Sequence, residues 1–327
     1  MKINEETGRI IFSGLLVTSL LLIGYNYINT SDKKNENEIQ FEMIKKYLVN
    51  NSSIAKSNKP ILWIHNDYKL NDRNWQSFGS RNTNELNKPI IYLTVDSIIK
   101  SCDKSFNICL IDDNSFNNLI PGWNIDLDEV PEPNKKYYRN LALLQLLYIF
   151  GGMIIPSSFL CFSDLINVYN DFTNNDNFFV TECYPKSILS TYTNTVPCMN
   201  VIGCKKQNES IRTLFTSLES VIVKTLTDET NFNGTVNKHL NMYITEGVCN
   251  IVSGKVFGYF DDQMKPLQID DLMSDSPIEL SAKNIGVDIP VDDIIERKHY
   301  DWFSKINLDE LPKVNNNIGY LLKKIYD

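Results

Sequence analysis

An α/β domain of Rossmann-like type is the fold class that this sequence predicts, and three observations predict it. Residues 135–165 pass from a dense apolar stretch through Gly151 and Gly152 into a short β-branched segment, Met153, Ile154 and Ile155. Residues 59–111 read as strand, helix, strand. Beyond residue 178, short apolar runs alternate with runs of helical spacing. Such alternation builds a sheet with parallel strands joined by crossover helices.

The bulk composition sets outer limits. With 327 residues, 43% of them hydrophobic and 11% aromatic, the chain can bury a large core. A net charge of −8, with lysines scattered and no basic run, argues against nucleic acid as a partner. The seven cysteines form no C-x-x-C pair, which excludes the common zinc and thioredoxin-like patterns, and an odd total leaves at least one unpaired. Buried free thiols are the plain expectation.

Residues 1–9 form a short tail. Residues 10–28 carry no charge and are mostly Leu, Ile, Val, Phe and Tyr, about the 20 residues an α-helix needs to cross a bilayer. They read as a membrane anchor. Arg9 precedes the span, and Tyr25 and Tyr27 sit near its far end, where amphipathic rings favour the interface. A cleaved signal peptide would want small residues where Gly24, Tyr25, Asn26 and Tyr27 stand. A buried soluble helix would want an apolar partner close by, and none follows. Lys2 and Arg9 before the span balance Lys33 and Lys34 after it, so charge sets no orientation. Residues 29–58 read as a stalk in which Ile39, Met43, Tyr47 and Leu48 recur at helical spacing, and the folded domain is expected over 59–327.

Within that domain, residues 59–65 form the first expected strand, ending at His65. A histidine there is a candidate base or phosphate neighbour, and equally an ordinary structural residue. Residues 66–88 are a long polar loop holding Trp75, Phe78 and Arg81, of the length that is functional or disordered in compact domains. Ile91, Tyr92, Val95, Ile98, Ile99 and Cys102 are spaced by threes and fours, so a helix leads to a second strand over 106–111. Asp112 and Asp113 follow it. Adjacent carboxylates can hold a hard cation, and the same Asp-Asp-Asn-Ser run also suits a turn and helix cap.

The helix over 141–150 is stopped by Gly151, which can take the left-handed conformation, and the glycine pair leaves the backbone open to close approach by a ligand. Pro156 ends the strand, since it has no N–H for a ladder. Residues 178–182 and 197–203 are further strands. Ile211, Leu214, Phe215, Leu218, Val221 and Ile222 mark one amphipathic helix, and Val236, Leu240, Tyr243 and Ile244 a second. A strand is expected over 256–260, then a turn at Asp261 and Asp262, and a last helix over 318–325. The tail 284–303 gathers Asp288, Asp292, Asp293, His299 and Trp302, either as a charged surface or as a late ligand cluster.

The order of Arg139, Tyr148, Ile149, Phe150, Gly151, Gly152, Met153, Ile154 and Ile155 resembles glycosyltransferase family 32 and the capsular polysaccharide synthesis proteins. There an arginine is followed, after eight residues, by a Tyr-x-Tyr-Gly-Gly-Ile-Tyr-Leu run. Strand 59–65 resembles the family's opening strand, whose end faces the nucleotide and here carries Trp63 and His65; Asp112 and Asp113 match an Asp-Asp pair at the second strand's end. The resemblance implies a single GT-A domain, a nucleotide sugar as donor and a glycan or glycoprotein as acceptor. It also implies a type II anchor with the C-terminal domain in the secretory lumen. Sequons at Asn29, Asn50, Asn51, Asn208 and Asn233 are compatible with that location.

In the family, an Asp-x-Asp after the Gly-Gly strand holds manganese or magnesium on the diphosphate. Here Pro156, Ser157 and Ser158 occupy those places, and Lys136 replaces the acid usual three positions before the arginine. Serines donate hydrogen bonds but bring no charge for a cation, so no metal ligand is assigned; Lys136 and Arg139 would offset the diphosphate instead. Ser157, Ser158 and His65 are the catalytic candidates. Trp63, Lys136, Arg139, Gly151, Gly152, Asp112 and Asp113 are the substrate-binding ones. The alternative, from another class, is a relative that has lost catalysis and keeps the fold as a membrane-tethered binding or structural protein. No G-x-G-x-x-G follows the first strand, and neither a Walker loop nor G-x-S-x-G is present, which disfavours NAD, P-loop and serine-hydrolase chemistry.

Overall fold

The computed structural model describes residues 59–66, 89–131, 134–185, 195–224 and 229–326. The expected anchor over 10–28, the stalk and the loop beyond Asn66 lie outside the described residues. No helix among the described residues is long and apolar enough to cross a membrane.

The first strand, β1 (Ile61–His65), buries Ile61, Leu62, Trp63 and Ile64 in succession. That is the continuous apolar run of a strand covered on both faces. Helix α1 (Pro89–Cys102) returns the chain to β2 (Asn107–Ile111), which pairs with β1 in parallel from Ile61↔Asn107 to His65↔Ile111. A short helix α2 (Ser115–Leu119) precedes α3 (Asn134–Phe150), and β3 (Gly152–Pro156) then joins the opposite side of β1, again in parallel. Because the two crossovers travel in opposite directions from β1, right-handed connections put α1 and α3 on opposite faces of the sheet.

The chain continues through β4 (Phe159–Cys161), α4 (Ile166–Phe172), β5 (Phe178–Cys183), β6 (Val196–Cys204), α5 (Glu209–Lys224), α6 (Glu229–Thr245) and β7 (Cys249–Val252). The main sheet has the order β2-β1-β3-β6-β5-β7. β6 is antiparallel to both its neighbours, so the other five strands run one way and their C-terminal ends share one rim. Helix α3 packs on α5 and α5 on α6. Between them and the sheet lies one apolar cluster that includes Trp63, Tyr137, Leu141, Leu144, Leu147 and Val180. After α7 (Ile269–Met273), strand β8 (Gly286–Asp288) forms a separate two-stranded sheet with β4, antiparallel, with Phe159 opposite Asp288. Helices α8 (Val291–Glu296) and α9 (Asn317–Tyr326) follow. The Tyr326 hydroxyl lies 2.7 Å from the Leu93 carbonyl oxygen and 2.9 Å from the Asp96 carboxylate, and its one proton, shared between these acceptors, fastens α9 to α1.

Gly151 and Gly152 do stop α3, with φ of 70° and 103°. What approaches them closely is protein backbone: a Cβ at Gly152 would lie 2.1 Å from the Ile61 carbonyl oxygen, and one at Gly151 would lie 2.6 Å from the Lys206 nitrogen. Gly152 therefore lets β3 dock against β1, and Gly151 makes room for the backbone that leaves β6.

Two expectations are revised, and a third, that of buried free thiols, holds for five of the seven cysteines. The strand expected over 256–260 lies earlier, at β7, because Gly254 and Gly258, the latter at φ 68°, turn the chain; Phe257 is buried from a turn and Phe260 from a lone antiparallel bridge to Pro266. The sequon at Asn208 is buried at 1% exposure; its side-chain oxygen caps α5 by accepting the Ile211 N–H at 3.0 Å, and its nitrogen donates to the Asp176 carbonyl. It has no surface for a glycan. Among the cysteines, Cys183 and Cys198 are disulfide-bonded, and Cys102, Cys109, Cys161, Cys204 and Cys249 are buried free thiols. Burial pushes the Cys109 and Cys249 thiols up to about 12, which makes them inert.

Candidate functional site

β2 and β3 flank β1, and the chain passes from β1 to β2 but from β3 on toward β5, in opposite directions along the sheet. This is a topological switch point, where open α/β sheets bind ligands at the C-terminal ends of the strands. His65 and Asn66 end β1 there, Asp112 and Asp113 follow β2, and Ser157 and Ser158 follow β3. Helix α3 starts on this side and runs back beneath the sheet, so Lys136 and Arg139, one turn apart near its start, lie toward the rim.

On the α3 face, three side chains meet. Arg139 grips Asp113 with both Nε (2.8 Å to Oδ1) and Nη2 (2.6 Å to Oδ2), while His65 Nε2 lies 2.9 Å from Asp113 Oδ1. Side-chain exposure is 14% for His65 and Asp113 and 15% for Arg139. Burial by itself would push the Asp113 carboxyl up; the hydrogen bonds from His65 and Arg139, with their charges, outweigh it and hold Asp113 well below the usual carboxylate range. An ionised carboxylate only accepts, so His65 Nε2 carries the proton it shares with Asp113. The imidazole is stacked parallel on Phe116, centroids 5.5 Å apart, which fixes its plane.

On the α1 face, Asn66 donates its backbone N–H to the Ile111 carbonyl at 2.9 Å. Its side-chain oxygen accepts from Ser157 Oγ at 3.3 Å, and the Ser157 carbonyl accepts from Thr94 Oγ1 of α1 at 2.6 Å. Ser158 Oγ donates to Asp288 Oδ1 at 2.7 Å, and the Tyr259 hydroxyl donates to Asp288 Oδ2 at 3.0 Å. Burial, then the adjacent Asp288 carboxylate, raise the Tyr259 phenol well above its ordinary range, and Asn200 hydrogen-bonds the same hydroxyl. Tyr259 therefore keeps its proton and donates it.

The remaining candidates fall elsewhere. Trp63 is 1% exposed in the core on the α3 side, its indole N–H donated to the Gly151 carbonyl at 3.0 Å, so no ligand reaches it. Gly151 and Gly152 lie at the opposite end of β3, about 13 Å from the rim. Asp112 takes the turn role: its Oδ1 accepts the backbone N–H of Ser115 at 2.9 Å and the Ser115 hydroxyl at 2.6 Å. Of the tail 284–303, Asp288 reaches the site, while Asp292 and Asp293 lie in the first turn of α8 and Trp302 is exposed. Asp288, Tyr259, Asn66 and Thr94 are the site residues that sequence reasoning did not place. The tail's acids were visible as a group, but nothing in their spacing tells which one β8 would carry to β4.

Among the described residues, no group of three His, Cys, Asp or Glu side chains comes together in a way that could hold a metal ion. Pro156 and Ser157 offer no charge, and both oxygens of Asp288 already accept hydroxyls. The described residues at the rim do not fit the divalent cation that Asp-x-Asp would hold.

No family model matches the chain, and no curated protein is significantly similar to it. Among solved structures, the chain is similar to the PaToxG glycosyltransferase at 15% identity and a TM-score of 0.34, over 63% of this chain and 79% of that one. A likeness so loose carries no argument, and any functional reading rests on the rim's own residues.

Proposed function

We propose that this chain is a glycosyltransferase that binds a nucleotide sugar at the rim of β1, β2 and β3 and transfers the sugar to a glycan or glycoprotein without a divalent metal. The observation that carries the reading is the adjacency of Asn66 and Ser157 at the switch point between β1 and β3, flanked by His65–Asp113–Arg139 on one face and Ser158–Asp288 on the other. That is where the fold class places ligands, and these are polar, partly exposed groups suited to a hydroxyl-rich molecule. Lys136, exposed on the first turn of α3, supplies positive charge for a departing diphosphate, as does the helix's N-terminal end. In the same proposal the chain is held by residues 10–28 as a type II anchor, with the domain in the secretory lumen. The Cys183–Cys198 disulfide supports this, since such bonds persist in oxidising compartments.

Calorimetry of the full chain with a panel of nucleotide sugars tests the reading. Binding of at least one donor, unchanged by a chelator, is the expected result. Failure to bind any donor removes the proposal, and a requirement for manganese removes its metal-free part.

One observation favours the second reading, a non-catalytic binding protein on the same fold. Two of Arg139's guanidinium nitrogens are spent on Asp113, which weakens its availability for phosphate. A chain that binds a nucleotide sugar yet shows no donor hydrolysis or transfer would be of that kind.

A further inference from the structure

The two serines at the end of β3 differ in a way that bears on what they can recognise. A hydroxyl has one proton to give and two lone pairs to offer. Ser157 points its proton at an amide oxygen, that of Asn66, and an amide can turn its donor end instead. Ser158 points its proton at a carboxylate, which only accepts, so the direction of that bond is fixed.

The surroundings keep it fixed. The other oxygen of Asp288 is taken by Tyr259, whose proton is held firmly by burial and by that same carboxylate. The backbone is clamped as well: the Ser158 carbonyl accepts the Ile289 N–H at 3.1 Å, and Asp288 stands opposite Phe159 in the β4–β8 ladder. If Ser158 turned its proton outward, Asp288 Oδ1 would face the lone pairs of Ser158, and a charge-assisted hydrogen bond would be lost. Diphosphate oxygens are pure acceptors with negative charge. Beside Asp288 they meet lone pairs and a like charge.

We infer that Ser158 Oγ is a hydrogen-bond acceptor for a hydroxyl or amide N–H of the sugar, with its polarity set by Asp288, and takes no part in holding the diphosphate. This deepens the nucleotide-sugar reading above and rests on it. It separates the two serines, both of which the sequence offered as hydrogen-bond donors: of the two, only Ser157 is able to turn its proton to the diphosphate. Asp288 acts through Ser158 and is a positioning residue.

The test compares, on the full chain, the affinity for whichever nucleotide sugar binds with that for its free nucleoside diphosphate, UDP or GDP. Ser158→Ala is expected to weaken the nucleotide sugar about tenfold, one hydrogen bond's worth, and to leave the diphosphate within twofold. Ser158→Thr, which keeps the hydroxyl, should restore the sugar. Asp288→Asn offers Ser158 an amide that can donate, freeing the serine proton, so its ratio of sugar to diphosphate affinity should shift toward the diphosphate. Equal losses for both ligands in Ser158→Ala, or no loss for either, overturn the inference while leaving the nucleotide-sugar reading standing. Should the unaltered chain bind no nucleotide sugar, both fall together.

Discussion

Asp113 keeps its charge in a half-buried place because Arg139 and His65 both point at it, and removing that charge would leave a guanidinium without its counter-ion. Breaking one side of such a pair costs about 3 kcal/mol or more. Asp113→Asn should therefore lower the urea midpoint clearly at neutral pH. A carboxyl held below its unfolded value stabilises the fold above about pH 4, and that contribution is lost as the pH falls further toward the folded value. The gap between the natural chain and Asp113→Asn should be constant from pH 7 to about 5 and shrink below 4. A gap that does not change with pH would show that the carboxylate's charge is not what holds the cluster. At this scale the sequence was only partly legible. Asp112 and Asp113 are neighbours of the same type, yet one closes a turn and the other joins an ion cluster, since consecutive side chains at a strand end point to different sides. Spacing along the chain carries no information on which is which.

At the level of single elements, the glycines between α3 and β3 give a sharp contrast with Gly122. Gly122 has φ 79° and open space around it, so Gly122→Ala meets only the backbone cost of about 1 kcal/mol. Gly152 has φ 103° and the Ile61 carbonyl in the way, so Gly152→Ala must also part β3 from β1 and should cost more than about 3 kcal/mol. Thermal unfolding of the two variants measures this directly, and similar small shifts would show that β1 yields easily. The elements with strong periodicity, α1, α5, α6 and the apolar strands β1 and β3, were readable because burial repeats along them. β4 and β8 were not, being three residues each, too short for any period to register. The run 256–260 has strand-like residues, but Gly254 before it and Gly258 within it turn the chain, and the turns won.

For the whole molecule, the parallel half of the sheet followed from the strand–helix–strand order, whereas the antiparallel insertion of β6 and the β4–β8 pairing depend on contacts far apart in sequence. The disulfide belongs to this scale, since it ties β5 to β6 at the rim across a separation of 15 residues. In the loop-closure account a crosslink of that span contributes about 3 kcal/mol. Reduction, or Cys183→Ser with Cys198→Ser, should lower the melting temperature by several degrees, and an unchanged melt would show that the two sulfurs are not joined in solution. The pairing of Ser158 with Asp288 spans 130 residues. At ribosomal speeds of about 5–20 residues per second, β4 emerges roughly 7 to 26 s before the partner that completes it. Throughout that interval the nascent chain displays an unmatched strand edge, so chaperone occupancy during translation should persist until β8 has left the exit tunnel.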